Sequence, residues 1–355
     1  MLSIRVASFN VENLLHAGAR FARDPGRPGY SAAMYADKIA WIRGVLDEGS
    51  VDLVGFQELF SRKALDEMLT GSRLAGATVI APDLDDNITA GTPEPLARGP
   101  FCGLVTTLPV KTAAADARVF EFPQEVRDRL VVMPDGGGTP VALPVSKFQR
   151  PVLRVDVTLP NGADATVFVA HLKSKLGQFL PGEDRDDPMA IALASVRSLV
   201  LRAAESVALR ALVLAAVRDT DRPVLLLGDL NDELSAVSTQ TIAGPNPPRF
   251  LSGPKKAAMF DTLLHSAHDI QDRQTLRDVD YTHIFDGRYQ LLDHVFVSQE
   301  LFHANPKHIG KVRNTRIFND HLLDTGLAIN VPSGLSARSD HGVVVTEIEL
   351  EPATP

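Results

Sequence analysis

Short runs of apolar and β-branched residues, each followed by polar residues, recur along the chain and predict β-strands. The alternating segment 3–10 predicts an opening strand, and 51–57 is a compact apolar run of the same kind. Segments 152–159 and 165–170 flank the dipeptide Asn161-Gly162, which is favoured at tight turns, so they predict a hairpin. Further strands are predicted at 223–228, 291–298 and 342–350.

Helical patterns lie between some of these runs. Segment 37–48 places Ile39, Ile42 and Leu46 on one face. Ser61 is suited to cap a helix that runs to about residue 69, because its hydroxyl can accept from the first turn. The pair Asp187-Pro188 combines a capping residue with proline at the first helical position, and it predicts a helix to about residue 217.

Mixed strands and helices, with successive strands in both halves, predict an α+β sandwich of two sheets with helices outside. We expect one catalytic domain over residues 1–355, with long loop insertions at about 82–100, 134–150 and 235–280, where Gly, Pro and polar residues are frequent. No heptad pattern or uncovered apolar helix in the sequence indicates a dimer.

Composition narrows the function. The chain is 45% hydrophobic and 23% charged, as is usual for a soluble globular protein. A net charge of −8 disfavours a passive basic nucleic-acid binder, but an enzyme acting on phosphates stays open because a bound divalent cation can supply local positive charge. The only cysteine, Cys102, excludes an intramolecular disulfide and is expected to be a buried small hydrophobe.

Targeting signals are not evident in the pattern. The N-terminus has no basic region followed by an apolar core, so we expect a cytoplasmic protein, or a secreted one if an export signal precedes this sequence. The most apolar stretch, 189–217, is interrupted by Arg197, Arg202, Glu205 and Arg210, which argues against a transmembrane helix. We also expect no membrane insertion by loops, since only one tryptophan, Trp41, is present and it falls on a predicted helix.

Chemically capable side chains lie at the ends of the predicted strands, directly beside them or, for Asp293, within one. They are Asn10, Glu58, His171, Asp229, Asn231, Asp293, Asp340 and His341. Each one alone is explained equally well as a turn former, a cap or a surface group. A buried strand end that presents a carboxylate, amide or imidazole is costly unless that group is paired or functional, so the repetition predicts one shared pocket.

The residue types favour one chemistry. Glu58 and Asp340 offer the hard oxygen ligands that Mg²⁺ or Mn²⁺ prefers, and Ca²⁺ is a further candidate as a structural ion. The sequence has no HExxH helix or cysteine pair for zinc, no GxSxG elbow of a serine hydrolase and no GxxxxGK[ST] phosphate loop.

These motifs resemble the endonuclease/exonuclease/phosphatase superfamily, whose fold is that of deoxyribonuclease I. The resemblance rests on six motifs in order along nearly the whole chain: SFNVENL, DLVGFQEL, VAHLKSK, LLLGDLNDE, LLDHVFVS and SDHGVVV. HLKSK and the segment 281–294 further resemble a bacterial group that includes extracellular nucleases. The resemblance implies a four-layer α/β sandwich in which two mixed, mostly antiparallel sheets pack face to face between outer helices, with the active site at one edge.

The resemblance also implies roles for the residues at the predicted pocket. Asp229 would orient or deprotonate the attacking water, and Asn231 would hold Asp229. Glu58 would be the main metal ligand, with Asn10 and Asp340 beside it, and Glu12 matches a second acidic position in some relatives.

The histidines would face the phosphate. His341 would contact the phosphoryl group, with Asp293 accepting one imidazole proton so that the other nitrogen is free to act. His171 would be a second phosphate contact, although no carboxylate that orients it is evident in the sequence. Lys173 could add positive charge beside the phosphate.

Three functions stay open. The first is an Mg²⁺- or Mn²⁺-dependent nuclease, a phosphodiesterase with DNA or RNA as its substrate and partner. The second is a phosphatase or phosphodiesterase of a small phosphorylated metabolite or lipid headgroup. The third is a non-catalytic binding protein, against which the complete set of site residues argues. The long loops are expected to set the substrate, and no protein partner is indicated.

Overall fold

Two six-stranded sheets form the centre of the structure, a computed structural model that describes residues 2–82, 96–134, 136–245, 252–275, 280–285, 287–322 and 335–352. The first sheet contains, in spatial order, β17 (Gly310–Phe318), β18 (Val343–Leu350), β1 (Leu2–Leu14), β3 (Leu53–Leu59), β6 (Phe101–Thr106) and β4 (Thr78–Ile80). The second contains β13 (Leu264–Ser266), β16 (Asp293–Ser298), β12 (Val224–Asp229), β11 (Asp164–His171), β10 (Lys147–Thr158) and β7 (Arg118–Glu121).

Short strand pairs and helices complete the described chain. The pairs are β2 (Arg20–Phe21) with β5 (Leu96–Ala97), β8 (Val131–Val132) with β9 (Val141–Ala142), and β14 (His283–Phe285) with β15 (Arg288–Gln290). The helices are α1 (Ala32–Glu48), α2 (Arg62–Leu69), α3 (Gln124–Arg129), α4 (Pro188–Val217), α5 (Val237–Ala243), α6 (Gly253–Phe260) and α7 (Ala267–Asp272). In the described chain, no helix is long and apolar enough to cross a membrane.

The helix boundaries have local causes in the sequence. Ser31 caps α1 by accepting from Met34 N, which starts this helix earlier than its apolar pattern alone indicates. Ser61 caps α2 in the same way, and the Asp187 carboxylate accepts from Ala190 N at 2.9 Å at the start of α4. Both of these caps were predicted from the sequence.

Alternation along the strands builds the layers. In β1, Ile4 and Val6 face the core between the two sheets, whereas Ala7 and Phe9 face the outer helices α1 and α2. On the other side of the molecule, residues of α4 such as Leu209 pack on the outer face of the second sheet. The resulting order is helices, sheet, sheet, helices, which confirms the predicted α+β sandwich.

Each sheet contains one parallel strand pair near its centre. Strands β1 and β3 are parallel, as are β11 and β12, whereas the other pairs described within the two sheets are antiparallel. A Cβ on Gly228 would lie 2.3 Å from the Ala170 carbonyl oxygen, so only glycine fits where β12 approaches β11. Because the carboxyl ends of parallel strands share an edge, residues that follow these strands are brought together.

The prediction of long loops was wrong in part. The described residues of 235–280 contain α5, α6, β13 and α7, and 134–150 contains β9 and the first residues of β10. The longest described element within 235–280 has 8 residues. Elements this short contain too few helical turns or strand alternations to be recognised from hydrophobic periodicity. In 82–100, residues 83–95 lie outside the described chain.

Candidate active site

The pairing of the strands brings the predicted residues together at one edge of the sandwich. His171, the last residue of β11, pairs with Asp229, the last residue of β12, and Asp229 pairs in turn with Asp293, the first residue of β16. Asn10 of β1 lies opposite Gln57 of β3, one residue before Glu58. His341 directly precedes Gly342 and β18. The two sheets therefore supply different parts of the same site.

Asp229 is the centre of these contacts. Its Oδ2 accepts from Asn10 Nδ2 at 3.0 Å and lies 3.5 Å from His171 Nε2 and 3.9 Å from His341 Nε2. Its Oδ1 accepts from the backbone N–H of Asn231 at 2.8 Å. The side chain is buried, and this burial raises the pKa of Asp229 to about 7, against the opposing influence of His341. A carboxylate with this pKa can take up and release a proton near neutral pH.

Asp293 and His341 form a buried ion pair. His341 Nδ1 lies 2.7 Å from Asp293 Oδ2, and both residues are less than one tenth exposed. Although burial alone would lower it, the carboxylates of Asp293 and Asp229 hold the pKa of His341 well above its usual range. Nδ1 is thus fixed by Asp293, and a protonated Nε2 faces the pocket beside Asp229.

His171 has the opposite electrostatic character. Burial, together with the positive charges of Arg150 and His341, holds its pKa well below the usual range. Its Nδ1 is buried and makes no hydrogen bond within the described chain. The Asp229 carboxylate lies 3.5 Å from Nε2, so among the described residues no carboxylate binds Nδ1 to orient the ring.

Carboxylates accumulate on the other side of Asp229. Glu58 Oε1 lies 3.4 Å from Asn10 Nδ2, and Asp340 Oδ1 lies 4.0 Å from His341 Nε2. Burial, followed by the charge of Asp340, raises the pKa of Glu12 to about 8. Its buried Oε2 has no hydrogen-bond partner among the described residues. Crowded carboxylates with an unpaired buried oxygen are stabilised by a cation.

The oxygen donors of Glu58, Asp340, Asn10 and Glu12 are of the kind that a hard divalent ion prefers. In the described chain around this site, two groups of ligand atoms lie close enough together to hold an ion. One comprises His283, Asp340 and His341, and the other comprises Asp229, Asp293 and His341. Both groups contain His341, which is already paired with Asp293, whereas the ligands predicted from the sequence, Glu58, Asn10 and Asp340, are oxygen donors.

The backbone is strained at several of these positions. Glu12, Asn13, Glu58 and Asn231 have φ between 48° and 63°, in the left-handed region that disfavours side chains. The turn at Glu58 lets its Oε2 accept from Asn13 N at 3.1 Å, while Asn231 Nδ2 donates to Leu172 O at 3.1 Å. Strain of this kind costs roughly 1–3 kcal/mol per residue and persists where structure holds a functional group in place.

Lys173 is positioned differently from the other predicted residues. Its ammonium donates to Ser174 O and to Leu176 O at 3.0 Å, within its own loop, and its backbone N–H donates to Glu205 Oε2 at 2.7 Å. The lysine therefore stabilises the turn that follows His171. Its side chain is not among the groups that the structure brings together around Asp229.

Further residues at the site were missed from the sequence. The ring of His283 packs against His341, with centroids 4.8 Å apart. Lys38 of α1 is buried, donates to Ser336 O at 3.2 Å and opposes the charge of Glu12. Lys38 lies four residues before Ile42 on the apolar face of its helix, and this displaced charge was the signal that could have revealed it.

Arg150 and Arg23 add positive charge near His171. Arg150 Nη1 donates to Leu172 O at 3.0 Å, and its buried Nε has no hydrogen-bond partner among the described residues. Burial, followed by the charge of Arg150, lowers the pKa of Arg23, which places the two guanidinium groups within electrostatic reach of each other. Neither arginine stands in a motif, so the sequence offered no signal for them.

Comparison with solved structures identifies the fold. No family model and no curated protein matches the chain. Among solved structures, an endonuclease/exonuclease/phosphatase family protein from Bacteroides thetaiotaomicron has 15% identity and a TM-score of 0.51, covering 98% of each chain. A protein of the same description from Bacteroides vulgatus has 16% identity and a TM-score of 0.50, covering 99% of this chain and 100% of its own.

A third structure agrees with these two. Humanized D. rerio TDP2 with 14 mutations has 12% identity and a TM-score of 0.51, covering 98% of this chain and 99% of its own. At such identities the similarity establishes the fold, and it bears out the resemblance seen in the order of the motifs. The chain therefore has the deoxyribonuclease I-like fold of the endonuclease/exonuclease/phosphatase superfamily.

Proposed function

We propose that this protein is a divalent-metal-dependent phosphoesterase, and more specifically a nuclease that hydrolyses phosphodiester bonds of DNA or RNA by in-line attack of water. The observation that carries the proposal is the position of Asp229. One of its oxygens lies 3.0 Å from the amide of Asn10 and within 4 Å of both His171 and His341. A general base, a hydrogen-bond donor to it and two imidazoles thus face one small volume.

Asp229 acts as the general base. Asn10 and the backbone of Asn231 fix its two oxygens, so the carboxylate cannot rotate away from a water in the pocket. A positioned base of suitable pKa contributes typically about 10²- to 10⁴-fold to the rate. The raised pKa of Asp229 lets it accept the proton that the attacking water loses.

The histidines stabilise charge on the phosphorus centre. His341 is held as an imidazolium by Asp293, so its Nε2–H donates to a non-bridging oxygen or to the departing oxygen. His171 is held neutral and donates a hydrogen bond without adding a charge. Donors aimed at the developing charge are the larger part of the catalysis expected at such a site.

Glu58, Asp340 and Asn10, with Glu12 nearby, are the residues that would hold Mg²⁺ or Mn²⁺. An ion bound there would neutralise the anionic phosphate as a Lewis acid. Lys38 would balance the remaining negative charge of these carboxylates when the pocket is empty of substrate, because it is buried beside Glu12.

Substrate class is inferred from the charge at the mouth of the site. Arg150 and Arg23 place two guanidinium groups near His171, and the Nε of Arg150 lacks a partner in the described chain. Such a pair suits an additional anion beyond the one that reacts, as a polynucleotide provides at its neighbouring phosphates. The net charge of −8 favours the alternative, a small phosphorylated metabolite or a lipid headgroup.

The experiment that separates these substrates compares three assays on one preparation. They are nicking of supercoiled plasmid, hydrolysis of bis-p-nitrophenyl phosphate, and phosphate release from a panel of phosphomonoesters, each with Mg²⁺ or Mn²⁺. A nuclease nicks the plasmid and leaves the monoesters nearly intact. A kcat/KM on any monoester above that on the diester would refute the nuclease assignment and support the phosphatase.

Variants make the comparison specific to this site. Asp229→Asn should remove all of these activities together, which excludes a contaminating nuclease. Arg150→Gln should reduce plasmid nicking by at least about tenfold while changing hydrolysis of the small diester little, because only the polymer reaches the second anion site. Equal losses on both substrates would show that Arg150 serves the reacting phosphate alone.

A further inference from the structure

Helix α4 carries an exposed apolar stripe along much of its outer surface. Met189, Leu193 and Val196 are 66%, 47% and 55% exposed, and Val200 and Val207 continue the line at 37% each. Leu176 and Leu180 of the preceding loop are also exposed next to its first turns, since Ser198 Oγ donates to Leu176 O at 2.7 Å. Single exposed apolar residues are common, but a contiguous patch marks an interaction surface.

The spacing of the stripe is that of a helix–helix contact. Met189, Leu193, Val196 and Val200 follow one another at intervals of four, three and four, and Ala203 and Val207 extend the alternation. Intervals of this kind keep side chains on a single face toward a partner helix. The opposite face is already used, because Ala194, Ser198 and Glu205 are buried. Ala194 O and Ser198 Oγ bond to the loop before the helix, and Glu205 accepts from Gln149 N of the second sheet.

A groove lies at the carboxyl-terminal end of this stripe. It has a volume of about 620 Å³ and separates α3 from α4. Its lining includes the apolar Val126, Leu130 and Leu214. It also includes one acidic residue and three basic residues: Glu125, Arg129, Arg210 and Arg218. The stripe thus ends in a concave, positively charged surface of a size that accepts large side chains.

The amino-terminal end of α4 has the complementary character. Asp184, Asp186 and Asp187 are exposed there with a single basic residue, Arg185, and Met189 and Leu193 are exposed in the first turns of the helix. One helix therefore presents large apolar side chains with acidic neighbours at one end, and an apolar groove with basic neighbours at the other. A surface that is complementary to itself in this antiparallel sense is what a two-fold symmetric interface requires.

We infer that α4 is the interface of a homodimer in which two copies of the chain pack their α4 helices antiparallel. With the two-fold axis near residue 198, Met189 of one protomer faces Val207 of its partner, and Val196 faces Val200. A helix of 30 residues is about 45 Å long, enough to supply a contact of ordinary dimer size together with the groove.

This interface lies away from the reaction and does not depend on the proposed function. The first test is the mass in solution, measured by light scattering across a concentration series. We expect twice the chain mass, and Leu193→Glu should weaken the dimer at least about thirtyfold because both copies of the leucine are replaced. Leu2→Glu is the matched control, since Leu2 is 41% exposed on the first sheet, and it should leave the dimer intact.

Cysteine pairs test the direction of the helices. The native Cys102 is buried, so introduced cysteines on α4 dominate cross-linking. In the antiparallel dimer, a mixture of Met189→Cys and Val207→Cys proteins cross-links, whereas each variant alone does not, because like positions lie about 27 Å apart along the helix.

Three results would overturn the inference. A protein that stays monomeric at every concentration would refute the dimer. A monomer that instead binds neutral lipid vesicles through the stripe would also refute it. Cross-linking of Met189→Cys with itself would show a parallel contact and refute the proposed geometry. Unchanged circular dichroism of Leu193→Glu shows that its effect is on association and not on folding.

Discussion

Replacing Asp229 with asparagine should lower activity and raise stability at the same time. The substituted side chain keeps the shape of the original and its contact with the backbone of Asn231, but an amide cannot accept a proton from water. We expect kcat on a phosphodiester to fall by about 10²- to 10⁴-fold. The wild-type carboxyl is fully buried, and burial raises its pKa from 3.8 to about 7.

The size of the stability change follows from that pKa. Holding the buried carboxyl ionised in the metal-free protein at pH 7 costs about 4 kcal/mol, at about 1.4 kcal/mol for each pH unit by which the pKa is raised. Asparagine removes this cost but places its amide against the Asn10 amide, which lies 3.0 Å from Oδ2, and an unmatched donor costs about 1–3 kcal/mol. The net expectation is a gain of about 1–3 kcal/mol in the free energy of unfolding.

The direction of the pKa shift determines how the stability difference between wild type and Asp229→Asn changes with pH. Because the pKa of Asp229 is raised in the folded protein, this carboxyl has little effect on the free energy of unfolding below about pH 4. As the pH rises toward 7, it lowers the free energy of unfolding. The advantage of Asp229→Asn should therefore appear across that interval, measured by urea unfolding in the presence of a chelator. A loss of kcat below tenfold would refute the base assignment, and a loss of stability at pH 7 would show that Asp229 is structural.

Three other changes test the surroundings of the site. Glu205→Ala should lower the free energy of unfolding, measured by urea titration, by about 2–5 kcal/mol. The reason is that the backbone N–H groups of Gln149 and Lys173 lose their acceptor, whereas Glu205→Gln should keep part of the stability because its amide oxygen can still accept. Asp293→Asn should lower the pKa of His341, so the alkaline limb of the kcat–pH profile should move to lower pH; an unmoved limb would exclude His341 as the acid. Thorough chelation should abolish phosphodiester hydrolysis, with recovery on adding Mg²⁺ or Mn²⁺, and full activity without metal would contradict the proposed cation site.

The sequence revealed the parts of the site that depend on strand ends. Asn10, His171 and Asp229 each end or follow an apolar run whose pattern is clear, and pairing in register then brings these positions together. The contact of Asp293 with His341 could be proposed only through family resemblance, because these residues are 48 positions apart and belong to different sheets. Sequence periodicity gives the ends of strands but not the distance between sheets.

Other features could not be predicted from the sequence, for physical reasons. Lys173 follows a strand like the other site residues, yet backbone carbonyls of its own loop compete for its ammonium. The short helices of 235–280 have too few turns for a periodic pattern. Along α4 both faces are apolar, so hydropathy could not show which face meets the sheet and which, with Leu193, meets solvent.

The hydrogen bond from Asn10 to Asp229 has a consequence for how the proposed activity should be lost on denaturation. It joins the first sheet to the second at the point where their two parallel strand pairs end, so neither layer contains a complete reaction centre. A small sliding of one layer over the other would separate the carboxylates proposed to bind the cation from the proposed base, Asp229, while leaving every strand and helix intact. Heat or denaturant should therefore abolish the proposed activity before circular dichroism records any loss of secondary structure.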